Sequence, residues 1–211
     1  MLLVLGAVVL GLLVGLIFGG SFRKLGSVRL RLWPLALLGL ALQLMPIPSS
    51  LDPRTARWVG AGLLVLSYLL LLAFVLENIQ FPGFPILIVG ILLNIFVISL
   101  NRGMPVTDAA LQAAEGQHYR QARQHLIDSG GVKHHLARPD DLLLPLADVI
   151  AIPAPVKNVF SVGDLIAYLG VAWVLAAATR GGGGKHRIGA PERRQLEETG
   201  LERWSEPSLT G

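Results

Sequence analysis

The sequence predicts an all-α integral membrane protein with about five transmembrane helices plus a re-entrant or interfacial segment, N-terminus outside and C-terminus inside. Three observations predict it. The 211 residues are 53% apolar and only 15% charged, a balance that suits side chains facing lipid rather than water. The apolar residues gather into five runs long enough, or nearly so, to cross about 30 Å of hydrocarbon as helices. The basic residues cluster beside these runs instead of along one face, so positive-inside orientation explains them and nucleic-acid binding is not expected.

The runs can be justified in order. The first, residues 2–18, has neither a basic leader nor an A-x-A-like site, and its charges come after it, so a retained signal-anchor is expected. Gly11, Gly15 and Gly19 repeat at intervals of four, a small-residue groove for close helix packing. The second, residues 28–47, lets Arg29 and Arg31 snorkel to the surface. Pro34 suits a first helical turn, while Pro46 and Pro48 end the run. The third and fourth runs are residues 58–76 and 84–100, with Asn94 in the middle of the latter. Residues 1–101 thus hold four spans, and residues 161–179 the fifth.

Charge sets the orientation. Arg23, Lys24, Arg29 and Arg31 follow the first run with no acid among them, and Arg180, Lys185, Arg187, Arg193 and Arg194 follow the last. Both clusters belong in the cytoplasm, which makes residues 102–141 an extracytoplasmic polar helical segment. Within it Thr107 is an expected N-cap, Asp108 suits a first turn, and Gly116 divides the helix in two. Ser129, Gly130 and Gly131 form a turn. Residues 142–160 are apolar but short and broken by Pro145 and Pro153, so they are expected to lie at the interface or re-enter it. Residues 180–211 read as a flexible, solvated cytoplasmic tail.

Candidate chemistry is sparse. Without cysteine there is no disulfide, thiolate nucleophile or cysteine metal site. His118, His125, His134 and His135 match no metal-ligand spacing, and neither metal nor cofactor is expected. Asn94 would hydrogen-bond between helices, and Asn101 and Arg102 close the fourth run at the outer face. Two aspartates sit in apolar sequence at the edge of the bilayer. Ser161 and Asp164 have the spacing of a capping box, which accounts for Asp164 structurally. Asp148 has no such account. Folded against the start of the fifth run it would meet Asp164, and a carboxylate dyad oriented by Asn158 and Ser161 could activate water.

Two resemblances follow from these segments. Residues 101–106, 147–153 and 159–164 together resemble an uncharacterised bacterial family of small multi-pass membrane proteins, a family labelled only as a domain of unknown function. The likeness implies a location in the bacterial cytoplasmic membrane and no activity. Phe160, Ser161, Val162, Gly163 and Asp164 are also similar to the last conserved box of lipoprotein signal peptidases, which implies a catalytic Asp164. Val97 stands where that family carries its other aspartate, so Asp148 would have to supply it from elsewhere in the chain.

The expected function is a non-enzymatic subunit or oligomeric module of a membrane complex, its partners being the lipid bilayer and other subunits or copies of itself. A small transporter or lipid-handling protein, and an aspartyl hydrolase using Asp148 and Asp164, are the alternatives.

Overall fold

A computed structural model describes residues 2–48, 50–128 and 133–181. Helices form where apolar runs are uninterrupted and stop at proline, glycine or left-handed residues. α1 (Leu2–Ile17) ends before Gly19, whose φ of +81° leaves the helical region. α2 (Phe22–Leu25) is one turn. α3 (Trp33–Leu44) follows the left-handed Leu32 and carries its proline in the first turn, as expected. α4 (Pro53–Glu77) is capped by Asp52, whose carboxylate accepts from the Arg54 and Thr55 amides at 3.1 Å each. α5 (Phe84–Asn101) leads directly into β1 (Met104–Val106). Then come α6 (Asp108–Glu115), α7 (Tyr119–Asp128), β2 (His134–Leu136), β3 (Asp148–Ile152), β4 (Asn158–Ser161) and α8 (Val162–Arg180).

Among the described residues three helices are long and apolar enough to cross a membrane: α4 with 25 residues, α5 with 18 and α8 with 19. α1 and α3 are apolar but shorter, at 16 and 12 residues. At about 1.5 Å per residue the latter reaches only about 18 Å as helix. The second run loses its helical start because residues 26–32 form turns and extended chain.

The all-α expectation is corrected by a four-stranded sheet in the order β2-β1-β3-β4. β1 pairs in parallel with β2 and β3, and β3 pairs antiparallel with β4. Residues 102–141 therefore contribute two strands as well as two helices, with Gly116 (φ +55°) dividing the helices as expected. Residues 142–160, expected to lie at the interface or re-enter it, form a one-turn 3-10 helix, Leu144–Leu146, and the hairpin of β3 and β4. Their prolines fall in that turn and in the β3–β4 connection, where no ladder amide is needed. The expected turn at residues 129–131 and nearly all of the expected flexible tail lie outside the described residues.

The long helices form a layer in which neighbours run α1, α8, α5, α4, α3. Glycines set the close approaches. A Cβ at Gly11 would lie 2.4–2.9 Å from the Ala172 backbone, and one at Gly90 would lie 2.5 Å from the Gly163 carbonyl oxygen. Gly15 likewise meets Ala176 and Thr179. Gly19 is corrected: a Cβ there would meet nothing within 4 Å, and Gly20 takes its place against Thr179. Near the α2 end of the layer Phe84 packs edge-on against Phe74 and Phe81, with centroids 5.6 and 5.9 Å apart. Near the other end Leu64, Val97, Ile98, Met104 and Ala147 join the helices to the sheet. Only 28%, 39% and 33% of the most apolar windows of α4, α5 and α8 are buried, so most of this surface faces outward.

The sheet with α6 and α7 is a cap on one end of the layer, at the C-termini of α3 and α5 and the N-termini of α4 and α8. Lys133, just before β2, clasps α3 by donating to the carbonyls of Leu42, Gln43 and Met45 at 3.1, 2.7 and 2.7 Å. They lie at the end of α3, where carbonyls lack the full set of intrahelical partners; that of Leu42 also accepts from the Met45 amide at 3.3 Å. At the opposite end lie Arg23, Lys24, Arg29, Arg31 and Arg180, where Arg31 meets Glu77 at 2.7 Å and Lys24 reaches the Arg180 carbonyl at 3.3 Å.

Candidate functional site

Asn94 projects from α5 into the contact with α4 and α8, with 1% of its surface exposed. A primary amide in apolar surroundings is tolerated only if its donors and acceptor are engaged. Here Nδ2 donates to Asp164 Oδ1 at 2.7 Å and to Tyr68 Oη at 3.0 Å, while Oδ1 accepts from Ser161 Oγ at 2.8 Å. Ser161 Oγ also accepts from the Asp164 amide at 2.9 Å, and Asp164 Oδ2 accepts from the Ser161 amide at 3.3 Å. The capping box is thus complete, and it is tied to the neighbouring helix. Gly163 makes this possible, since a Cβ there would run into the Asn94 amide.

Asp148 starts β3, is 5% exposed and lies opposite Ser161 in the sheet register. Its backbone is well held: the carbonyl accepts from the Thr107 amide at 3.1 Å and hydroxyl at 3.3 Å. Thr107 occupies the N-cap position of α6 as expected, but its hydroxyl serves Asp148 instead of the helix. The Asp148 carboxyl has His134 Nε2 at 3.8 Å, beyond hydrogen-bond range. Burial, reinforced by the negative charge of Asp164, raises its pKa well above the ordinary carboxylate range. Burial thus favours the neutral form of Asp148.

No hydrogen bond joins the two carboxyl groups among the described residues: they feel each other's charge, but Asp164 gives both oxygens to Asn94 and Ser161. Asn158 pairs with Ile152 at the far end of the hairpin, about 10 Å from the Asp148–Ser161 pair at roughly 3.3 Å per residue. The structure brings Asn94, Ser161, Asp164 and Asp148 together and leaves Asn158 out. It adds Tyr68, whose position in the middle of α4 carries no local signal for this contact.

Asn101 and Arg102 belong to a second polar region at the cap end. Asn101 Nδ2 donates to the Val97 and Leu142 carbonyls at 2.9 Å each, and its oxygen accepts from the Leu142 amide at 2.7 Å. The Arg102 guanidinium lies 5.2 Å above the Trp58 ring. Beside them His135 Nε2 faces both Asp141 oxygens at 3.1 and 3.2 Å. Burial lowers the His135 pKa, against the opposing pull of Asp141. Of the other histidines, His118 meets Lys157 at 2.9 Å.

The fold is that of a mostly helical protein with three helices long and apolar enough to cross a membrane among the described residues, bearing a small α/β cap on one end of its helices. The chain belongs to a family of unknown function, DUF5317, whose family model matches residues 27–176. No match is found among curated proteins or among solved structures.

The raised pKa of Asp148 has a measurable consequence. With its folded pKa raised, the unfolded chain releases this proton first, and stability falls as pH rises above the ordinary value of 3.8. Asp148→Asn imitates the neutral acid while His134 and Asp164 stay in place. Its unfolding midpoint in detergent is expected to match that of the parent below the ordinary carboxylate pKa of 3.8 and to exceed it as pH rises above that value.

Proposed function

We propose that this member of the family is a non-enzymatic, multi-pass protein of the bacterial cytoplasmic membrane. It acts as a subunit or oligomeric module that presents the α/β cap on the extracytoplasmic face. The observation that carries this reading is the engagement of Asp164. Both carboxylate oxygens accept hydrogen bonds, one from the Asn94 amide and one from the Ser161 backbone, so the residue ties the start of α8 to α5 and is oriented by that junction and not by Asp148. Both Asn94 amide hydrogens are likewise donated, which argues against a substrate path through that part of α5.

The arrangement of the helices supports five crossings. α1, α4 and α8 run away from the cap, whereas α3 and α5 run toward it. Gly11 and Gly15 meet Ala172 and Ala176 in parallel order, and Gly90 and Leu87 meet Gly163 and Gly170 in antiparallel order. Lys133 and Arg102 hold the end of α3 and the start of α4 at the cap. Each crossing reverses the last. In this reading the short α1 and α3 complete their crossings with flanking apolar residues such as Phe18, Val28 and Leu30 in non-helical chain. The basic end, with Arg23, Lys24, Arg29, Arg31 and Arg180, is then cytoplasmic. The outward-facing apolar surface is available to lipid and to neighbouring subunits.

The chain has no cysteine, so a single one reports its side of the membrane. In intact cells Gln121→Cys is expected to react with a membrane-impermeant maleimide, and Ser27→Cys only after lysis; the reverse pattern overturns the orientation. For function, the double variant Asp148→Asn, Asp164→Asn is expected to restore the phenotype of a deletion strain whenever its abundance is normal. Failure to do so, with normal abundance and circular dichroism, would favour the hydrolase reading instead.

A further inference from the structure

At the cap end, between the start of α4, the end of α5 and the chain after β2, lies a cavity of about 430 Å³. Four arginines line it: Arg54 and Arg57 from α4, Arg102 after α5, and Arg138 beyond β2. They are scattered over 85 residues of sequence and brought together only by the fold. None of the four is ion-paired with a carboxylate among the described residues, where the arginine ion pairs are Arg31–Glu77 and Arg123–Asp108. Two carboxylates share the lining, Asp140 and Asp141. Asp141 is already engaged by His135 and by the Arg138 amide at 2.7 Å, so the cavity carries an excess of positive charge.

The walls are built rather than incidental. Asn101 fixes the Leu142 backbone through both its amide and its carbonyl, and His135, 3% exposed, anchors the turn that carries Arg138. Arg102 is held over Trp58 in a left-handed backbone conformation (φ +55°) at the C-cap of α5. That conformation disfavours a residue with a Cβ, and glycine ordinarily fills it at helix ends. An arginine kept there fits a task for its side chain. The α4 amides are not the attraction, since Asp52 already accepts from Arg54 and Thr55. The guanidinium groups are.

We propose that this cavity binds a phosphate-bearing ligand. Guanidinium groups match phosphate oxygens in fork geometry, and several unpaired ones around one space outcompete water for a doubly coordinated oxyanion. Trp58 and Leu100, both more than half exposed, stand at the rim beside the apolar faces of α4 and α5. An acyl chain can lie on those faces with its headgroup phosphate among the arginines, at the boundary level that tryptophan favours. A lipid headgroup and a soluble phosphate ester offer the same chemistry. Only the lipid source depends on the membrane reading.

The test uses the full chain in neutral detergent, with tryptophan fluorescence and thermal midpoint as readouts. Dihexanoyl phosphatidylglycerol is titrated in parallel with dihexanoyl phosphatidylcholine, glycerol 3-phosphate and inorganic phosphate. Saturable binding of phosphatidylglycerol is expected, weakened about tenfold or more in Arg102→Gln, Arg138→Gln and unchanged in Arg29→Gln at the opposite end. Preference for phosphatidylglycerol over glycerol 3-phosphate identifies a lipid headgroup, whereas equal affinity identifies a soluble phosphate ester. If no phosphate compound binds saturably, or if the double variant with native circular dichroism binds as well as the parent, the proposal is overturned. These ligands are water-soluble and need no bilayer, so a failure of the orientation experiment leaves this result independent.

Discussion

The structure depends on satisfying one buried amide. Asn94 sits where three apolar helices meet, and an unpaired primary amide there would cost several kcal/mol. Its three hydrogen bonds, to Tyr68, Ser161 and Asp164, fix the rotation of α4, α5 and α8 about their axes. Dispersion between leucines and valines is permissive of sliding; a hydrogen-bonded amide is not. The same contact determines where Gly90 and Gly163 must fall, because their backbones close to within a distance that no Cβ allows.

The cap follows from that constraint. Ser161 is at once the last residue of β4 and the N-cap of α8, so the network that orients the helices also fixes the end of the sheet. β1 leaves α5 after only Arg102 and Gly103, and its register with β3 sets Val106 opposite Asp148. Asp148 is in turn opposite Ser161. Its burial is a consequence of the junction between sheet and helix, and with the nearby Asp164 charge it raises the pKa of Asp148. The cap's second attachment, Lys133 to the end of α3, spans to the other side of the layer. Between these two attachments the arginine-lined cavity opens.

The features legible in the sequence were the local ones. Apolar runs located α1, α4, α5 and α8, because a helix long enough for a bilayer needs an uninterrupted stretch of such residues. The Ser161–Asp164 capping box could be read from its spacing of three, and Gly116 from its position in an amphipathic segment. The sheet was not legible. β1 and β2 have three residues each, too few for an alternating pattern, and all three residues of β1 are buried. Gly19 fitted a four-residue repeat, but the helix ended first and handed the contact to Gly20. Asn101 and Arg102 were visible as a polar pair, whereas Arg54, Arg57 and Arg138 were not, because only tertiary folding makes them neighbours.

Asn94 and Asp164 act as one structural unit. A double-mutant cycle of Asn94→Ala and Asp164→Ala, measured as unfolding free energy in detergent, reads their coupling. A coupling of about 0.6–1.7 kcal/mol is expected, the scale of hydrogen bonds between membrane helices. Additivity to within about 0.3 kcal/mol would contradict it.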